Sequence, residues 1–240
     1  LEDIVFLSYM GIRPVLVHGG GPNISEKMKN SGKKTDFVEG MRVTDAETLK
    51  IVEEELVTLN ERIVRELKKL GGKVKSLNGK DNNLIQAEKK IAEVDLGFVG
   101  DVAGVETSLI LKELNRDAIC VICPMGKGKD GAVYNINADE VASNVAAALC
   151  AEKLVLLTNV KGIMRNPDEP NSFMATLTEQ EIEALIKDKV IQEGMIPKVK
   201  ACVLALDKGV KKTHIIDARI PHALLLEIFT DEGIGTAIVK

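Results

Sequence analysis

The sequence predicts an α/β protein, a three-layer αβα sandwich built on a mainly parallel central sheet. Three observations carry that expectation. Short β-branched runs alternate with segments of helical spacing along most of the 240 residues. The stretch PVLVHGGGPNISEKMKN, residues 14–30, passes from a strand through a glycine triplet into a helix. A long amphipathic pattern between residues 44 and 70 supplies a helix able to cover a sheet.

Taken in order, the chain opens LEDIVFLSYMG, with Leu1, Ile4, Val5 and Ser8 at helical spacing and Gly11 as the stop. Neither an initiator Met nor a capping residue precedes Leu1, so the sequence is expected to begin inside a helix with more chain upstream. Next, PVLV leads into Gly19, Gly20 and Gly21. Glycine loses more backbone freedom on ordering than any other residue, so such a run is expected only where φ is positive or something approaches the main chain closely. It reads either as a tight strand-to-helix turn or as a nest of free N–H groups that holds an anion at a helix N-terminus. Leu49, Val52, Leu56, Leu59, Ile63, Leu67 and Leu70 then repeat at threes and fours. Thr44 with Glu47 reads as the capping box of this helix, and Gly71 and Gly72 as its terminator. A helix on the order of 40 Å long with so narrow a stripe covers a sheet or forms a dimer interface.

Strands are expected at 73–78, 118–124, 153–160, 213–218 and 235–240, and helices at 137–150, 178–187, 195–208 and 221–229. From Gly79 to Gly131, GFVGDVAGV and GKGKDG read as hairpin-like turns rather than crossover helices.

Composition narrows the function. The 32 basic and 36 acidic residues leave a net charge of −4, and aromatics make up 3%, so a nucleic-acid partner is not expected. No apolar run approaches the roughly 20 residues that span a bilayer, and no signal peptide is visible. A cytoplasmic protein without a membrane partner is expected, or a stromal one if the source is a plant or alga. Cys120 and Cys123 form a C-x-x-C within an apolar strand, where side chains three apart face opposite ways, so that pair is not expected to ligate a metal. With Cys150 and Cys202 also in apolar surroundings, all four read as buried reduced thiols.

Four segments carry polar residues suited to chemistry. In YNINADEVASNVAAAL, Asn137 and Glu140 make an N-cap pattern, which leaves Asn135 and Asp139 for a ligand. In LLTNVKGIM, Asn159 and Gly162 follow a strand, where α/β sheets form ligand crevices, although this piece alone favours an ordinary turn. Lys198 lies in the first turn of the helix in EGMIPKVKACVLAL, where the helix dipole disfavours a cation, so it either points to solvent or helps hold a phosphate. Arg42 in EGMRVTDAE suits a bidentate grip on a carboxylate, with a surface salt bridge as the competing reading.

The blocks VHGGGPNI, GMRVTDAETLKIVE, YNINADEVA, AAALCAEKLVLLTNVKGI, GMIPKV and HIIDARIPHALLLEIFTDEGIGT occur in one order. On them the whole chain resembles the acetylglutamate kinases of the amino acid kinase family. The resemblance implies the carbamate-kinase-like fold and ATP-dependent phosphorylation of the side-chain carboxylate of N-acetyl-L-glutamate in arginine biosynthesis, with Mg²⁺ arriving on ATP. It implies an acetylglutamate-binding and dimerisation lobe at residues 1–147 and an ATP-binding lobe at 148–240. Gly19, Gly20 and Gly21 would cradle the substrate and the transferring phosphoryl group. Arg42 would hold the α-carboxylate and Asn135 the acetamido end. Lys198 would contact nucleotide phosphates near Asn159 and Gly162, and Asp139 would orient the active-site lysines.

Two departures follow from the same resemblance: Asn159 stands where the family usually has Asp, and Glu193 replaces a frequent glycine. The family's Lys-x-Gly-Gly strand is expected upstream of Leu1, and the chain as written is expected to transfer phosphate poorly without it. Arginine-inhibited members have a C-terminal site to which His214, Glu227 and Gly233 correspond, and they assemble as hexamers. Either a homodimer or a hexamer is therefore expected here, with arginine as feedback inhibitor. Cyanobacterial and plant relatives also bind a PII-type regulator. The alternative is a non-catalytic sensor of acetylglutamate or arginine with the same fold. A nucleotide-linked oxidoreductase is disfavoured, because HGGGPNI lacks the G-x-G-x-x-G spacing.

Overall fold

A computed structural model describes all residues except 39, 167, 168, 170, 171, 192, 193, 231 and 232. Glu193 therefore lies outside the described residues. The chain divides into two compact units, Leu1–Ala142 and Ser143–Lys240.

The first unit runs α1 (Glu2–Tyr9), β1 (Val15–Val17), α2 (Gly21–Asn30), β2 (Phe37–Val38), β3 (Met41–Arg42), α3 (Ala46–Lys69), β4 (Val74–Asn78), β5 (Ile85–Lys89), β6 (Gly100–Val105), α4 (Ser108–Leu114), β7 (Ile119–Cys123), β8 (Met125–Gly128), β9 (Val133–Asn135) and the start of α5 (Ala138–Ala148). β1, β7 and β4 form a parallel sheet in that order, with Val15 opposite Cys120 and Val74 opposite Ile119. Every residue of β7 is buried, which explains its unbroken apolar sequence ICVIC: a parallel strand covered on both faces has no polar side to present. Ile24, Met28, Val52, Leu56, Cys123 and Met125 close the core between α2, α3 and the sheet. Burying side chains of that size contributes about 2 kcal/mol each. A second sheet, ordered β6-β5-β8-β9, holds the glycine-rich segment, and β8 and β9 form the hairpin expected around GKGKDG.

The second unit continues β10 (Lys153–Thr158), β11 (Thr176–Thr178), α6 (Glu179–Lys187), α7 (Ile196–Asp207), β12 (Lys212–Asp217), α8 (Ala223–Phe229) and β13 (Thr236–Val239). Its sheet is ordered β10-β12-β13-β11, with β10/β12 and β11/β13 parallel and β12/β13 antiparallel. The fold is thus α/β with parallel-rich sheets, as the alternation of elements predicts.

Three expectations need correction. The cap of α3 is Asp45, whose carboxylate accepts from the Thr48 N–H at 2.7 Å, and not Thr44. Thr44 is fully buried and bonds elsewhere. Between Gly79 and Gly131 lies one true helix, α4, where only turns are expected; it buries just Ile110 and Leu114, too few positions for a visible period. Cys120, Cys123 and Cys202 are buried but Cys150 is exposed, because it lies just beyond α5, at φ +50°. Burial pushes the Cys120 thiol up to about 11 and the Cys123 thiol up to about 12. No helix among the described residues is long and apolar enough to cross a membrane.

Candidate active site

In the first unit, the glycine triplet joins β1 to α2 without positive φ at any of its three residues. Close approach is the reason for Gly20. A Cβ there would stand 2.8 Å from Leu56 Cδ2 of α3 and 3.3 Å from Ile24 Cδ1 of α2, inside the packing between the two helices. Gly20 is the N-cap of α2 and has no side chain to satisfy the first turn, while Pro22 contributes no N–H. The first bond of the helix is Ile24 N–H to Gly20 O at 3.0 Å. The helix therefore presents the positive end of its dipole at an open turn, with Gly19 and Gly21 exposed. The start of α5 adjoins it, since a Cβ on Gly19 would be 3.9 Å from Ala138 Cβ.

Arg42 comes to this turn from β3. Its Nη2 donates to Gly21 O at 3.2 Å and to Ser25 Oγ at 2.8 Å, and its guanidinium lies 4.7 Å from the Phe37 ring centroid. The side chain is buried, and no carboxylate among the described residues pairs with it. Among the described residues the surface salt bridge weighed from the sequence is not formed, and burial lowers the pKa of the guanidinium. Thr44, which sequence reasoning spent on a cap, links two of the expected residues. Its hydroxyl donates to Arg42 O at 2.7 Å and accepts from Asn135 Nδ2 at 3.3 Å. Asn137 caps α5 as expected, accepting from Asp139 N–H at 2.8 Å and Glu140 N–H at 3.3 Å. Asp139 is thereby fixed, half-buried, in the first helical turn. Gly19, Gly20, Gly21, Arg42, Asn135 and Asp139 all belong to the first unit.

The second unit holds the rest. β10 and β12 end side by side, where Ala218 N–H donates to Thr158 O at 2.8 Å. Asn159 follows this end and is exposed. Asp217 closes β12, and Arg219 grips its carboxylate with Nε at 2.9 Å and Nη2 at 2.8 Å, holding its pKa down to about 2. Sequence reasoning did not separate this pair from its block. Gly162 has φ +125°, and a Cβ there would lie 2.7 Å from Thr236 Oγ1, so the position admits only glycine. Lys198 lies in the first turn of α7 directly after Pro197, half-buried.

His214 and Glu227 meet in the core of this unit, His214 Nδ1 lying 2.5 Å from Glu227 Oε1. Lys153 Nζ lies 3.8 Å from the same oxygen. Glu227 Oε2 is buried and has no hydrogen-bond partner among the described residues, and the Cβ position of Gly233 is 3.9 Å away. Burial pulls the His214 imidazole down to about 4, so it is neutral at physiological pH.

The profile of the amino acid kinase family matches residues 1–217. This chain belongs to the amino acid kinase family. Among its relatives, the acetylglutamate kinase of Petrotoga mobilis is 48% identical over 240 residues, which is 100% of this chain and 80% of that protein. The N-acetylglutamate synthase of Neisseria gonorrhoeae, solved with coenzyme A and N-acetyl-glutamate, is 30% identical with a TM-score of 0.88, across 100% of this chain and 55% of its own. The same synthase has been solved with coenzyme A and L-arginine, at 28% identity and a TM-score of 0.86, over 100% of this chain and 56% of that one. Carbamate kinase from Giardia lamblia, bound to AMP-PNP, shares the fold at 16% identity and a TM-score of 0.67, covering 99% of this chain and 88% of its own. As an amino acid kinase of this sequence type, the chain is an enzyme that transfers a phosphoryl group.

Proposed function

We propose that this kinase moves the γ-phosphoryl group of ATP onto the side-chain carboxylate of N-acetyl-L-glutamate, as the name of its 48%-identical relative suggests. The observation that carries the reading is Arg42, a buried cation with no carboxylate partner among the described residues, held against the turn that opens α2. A ligand carboxylate supplies the missing half of that ion pair. Asn135, tied to Arg42 through Thr44, takes the acetamido end. The open N–H groups of the glycine turn stabilise charge on the transferring phosphoryl oxygens, and Asp139 orients cationic side chains around them.

Nucleotide binding falls to the second unit in this reading, at Asn159, Gly162 and Lys198, the last of these reinforcing the N-terminal dipole of α7 toward phosphate. Among the described residues no group of three or more His, Cys, Asp or Glu side chains is placed to hold a metal. In this reading Mg²⁺ enters on ATP phosphate oxygens, where it neutralises charge. L-arginine is the proposed inhibitor, received by Glu227 with His214 and Gly233 beside it; a buried carboxylate oxygen, Oε2, with no hydrogen-bond partner among the described residues fits a guanidinium.

The test is an assay in which the acyl phosphate is trapped with hydroxylamine. Arg42→Ala should raise the acetylglutamate KM at least about tenfold, the loss of one charge-assisted contact, and leave the ATP KM within about twofold. Equal effects on the two substrates would remove the carboxylate role.

A further inference from the structure

We infer that His18 and Asn60 are positioning residues that fix the orientation of the Gly19–Gly20 peptide in the glycine turn, an inference that rests on the phosphotransfer reading above. Asn60 interrupts the apolar stripe of α3 with an amide that is 2% exposed. Three groups satisfy it. Nδ2 lies 3.2 Å from the Val121 carbonyl and 3.1 Å from His18 Nε2, and Oδ1 accepts the Ser76 hydroxyl at 2.6 Å.

The Val121 carbonyl can only accept, so the amide must turn its nitrogen that way, and its second hydrogen faces His18. Nε2 is then the bare, accepting nitrogen of the imidazole. The ring proton sits on Nδ1, 3.1 Å from Gly19 O, and donates to it. A single assignment of donors and acceptors satisfies this chain from the β7 backbone to the glycine turn. Protonating Nε2 would set an N–H against the N–H of Asn60, and burial disfavours the imidazolium as well.

A trans peptide points its C=O and its N–H in opposite directions. Drawing the Gly19 carbonyl toward His18 therefore turns the Gly20 N–H the other way, and no hydrogen bond among the described residues uses that N–H. Two flanking glycines impose little steric resistance to rotation of the plane. Were it to flip, a carbonyl oxygen would stand where a phosphoryl oxygen needs a donor. The network thus controls whether that donor is presented, although Asn60 reaches the turn only through His18.

Two substitutions of His18 separate this role from simple packing. Asparagine places its amide nitrogen near the Nδ1 position, and glutamine places its own near Nε2. His18→Asn should keep kcat within about threefold of wild type, whereas His18→Gln should lose about tenfold or more, part of the hundredfold typical of a missing oxyanion donor. KM values for both substrates should move less than about threefold in each, because the donor acts on charge that develops in the transition state. In the unsubstituted protein, ¹⁵N NMR should find His18 protonated at Nδ1, bare at Nε2, and still neutral below the ordinary histidine range. Equal losses in the two variants, a change confined to KM, or an Nε2-protonated ring would overturn the inference. If the unsubstituted protein phosphorylates no acetylglutamate, the phosphotransfer reading fails on its own, and the tautomer, measured without substrate, still decides this one.

Discussion

Arg42 and Glu227 present the same problem in opposite charge. Arg42 is buried with no carboxylate partner among the described residues, and Glu227 is buried with one oxygen, Oε2, that has no hydrogen-bond partner there; leaving such a group incompletely paired costs several kcal/mol. The fold keeps them because neighbours give partial relief: Ser25, Gly21 O and Phe37 around Arg42, Lys153 and His214 around Glu227. A ligand that completes either pair recovers the rest. For Glu227 the expected ligand is a guanidinium, because its Oε2 has no hydrogen-bond partner among the described residues and lies 3.9 Å from the Cβ position of Gly233. Glu227→Gln should weaken L-arginine binding at least about tenfold by isothermal titration calorimetry, the loss expected when a charge-assisted contact becomes neutral. It should leave kcat in the absence of arginine within about twofold. Arginine that binds both proteins equally, or neither, would take Glu227 out of that role.

At the scale of elements, the apolar face of α3 is only partly buried. Thr48, Val52, Leu56, Asn60, Val64 and Leu67 are buried, Leu49 is half-buried against the core cluster, Leu59 and Ile63 are half-buried, and Leu70 is 40% exposed. A helix of 24 residues, about 36 Å, with apolar area left over on its flank suits a two-fold contact with its own copy. Sedimentation at micromolar concentration should therefore find a dimer, and Ile63→Glu should shift it to monomer; a monomeric unsubstituted protein would contradict the contact. This helix also shows where reading the sequence succeeds and fails. Its length and period are legible because seven large apolar residues repeat without interruption. The face it buries is not, because Asn60 looks like a break in the stripe when it is the polar centre of it, and only the positions of His18, Ser76 and Val121 reveal that. Likewise the buried parallel strand β7 stands out as an apolar run, while β6 and β8 are interrupted by glycine and β9 is three residues long, so no period of two emerges there. For the site, Arg42, Asn135 and the glycines can be named from motifs, whereas Thr44, which joins Arg42 to Asn135 in space, reads locally as a helix cap.

For the whole molecule, the division into Leu1–Ala142 and Ser143–Lys240 raises the question of whether the two units unfold together. The cysteines answer it, because their distribution matches the division. Cys120 and Cys123 are locked in β7 of the first unit, Cys202 is locked in α7 of the second, and Cys150 alone is exposed. A disulfide reagent added to the folded protein should consume one thiol per chain rapidly, since the remaining three are shielded and the two in β7 are further passivated by raised pKa values. With increasing denaturant, opening of the first unit alone would release two more equivalents and opening of the second alone would release one. A single cooperative transition would release all three at the same denaturant concentration. The protein thus carries its own labelling clock, in which the stoichiometry of the chromophore set free identifies the unit that has come apart.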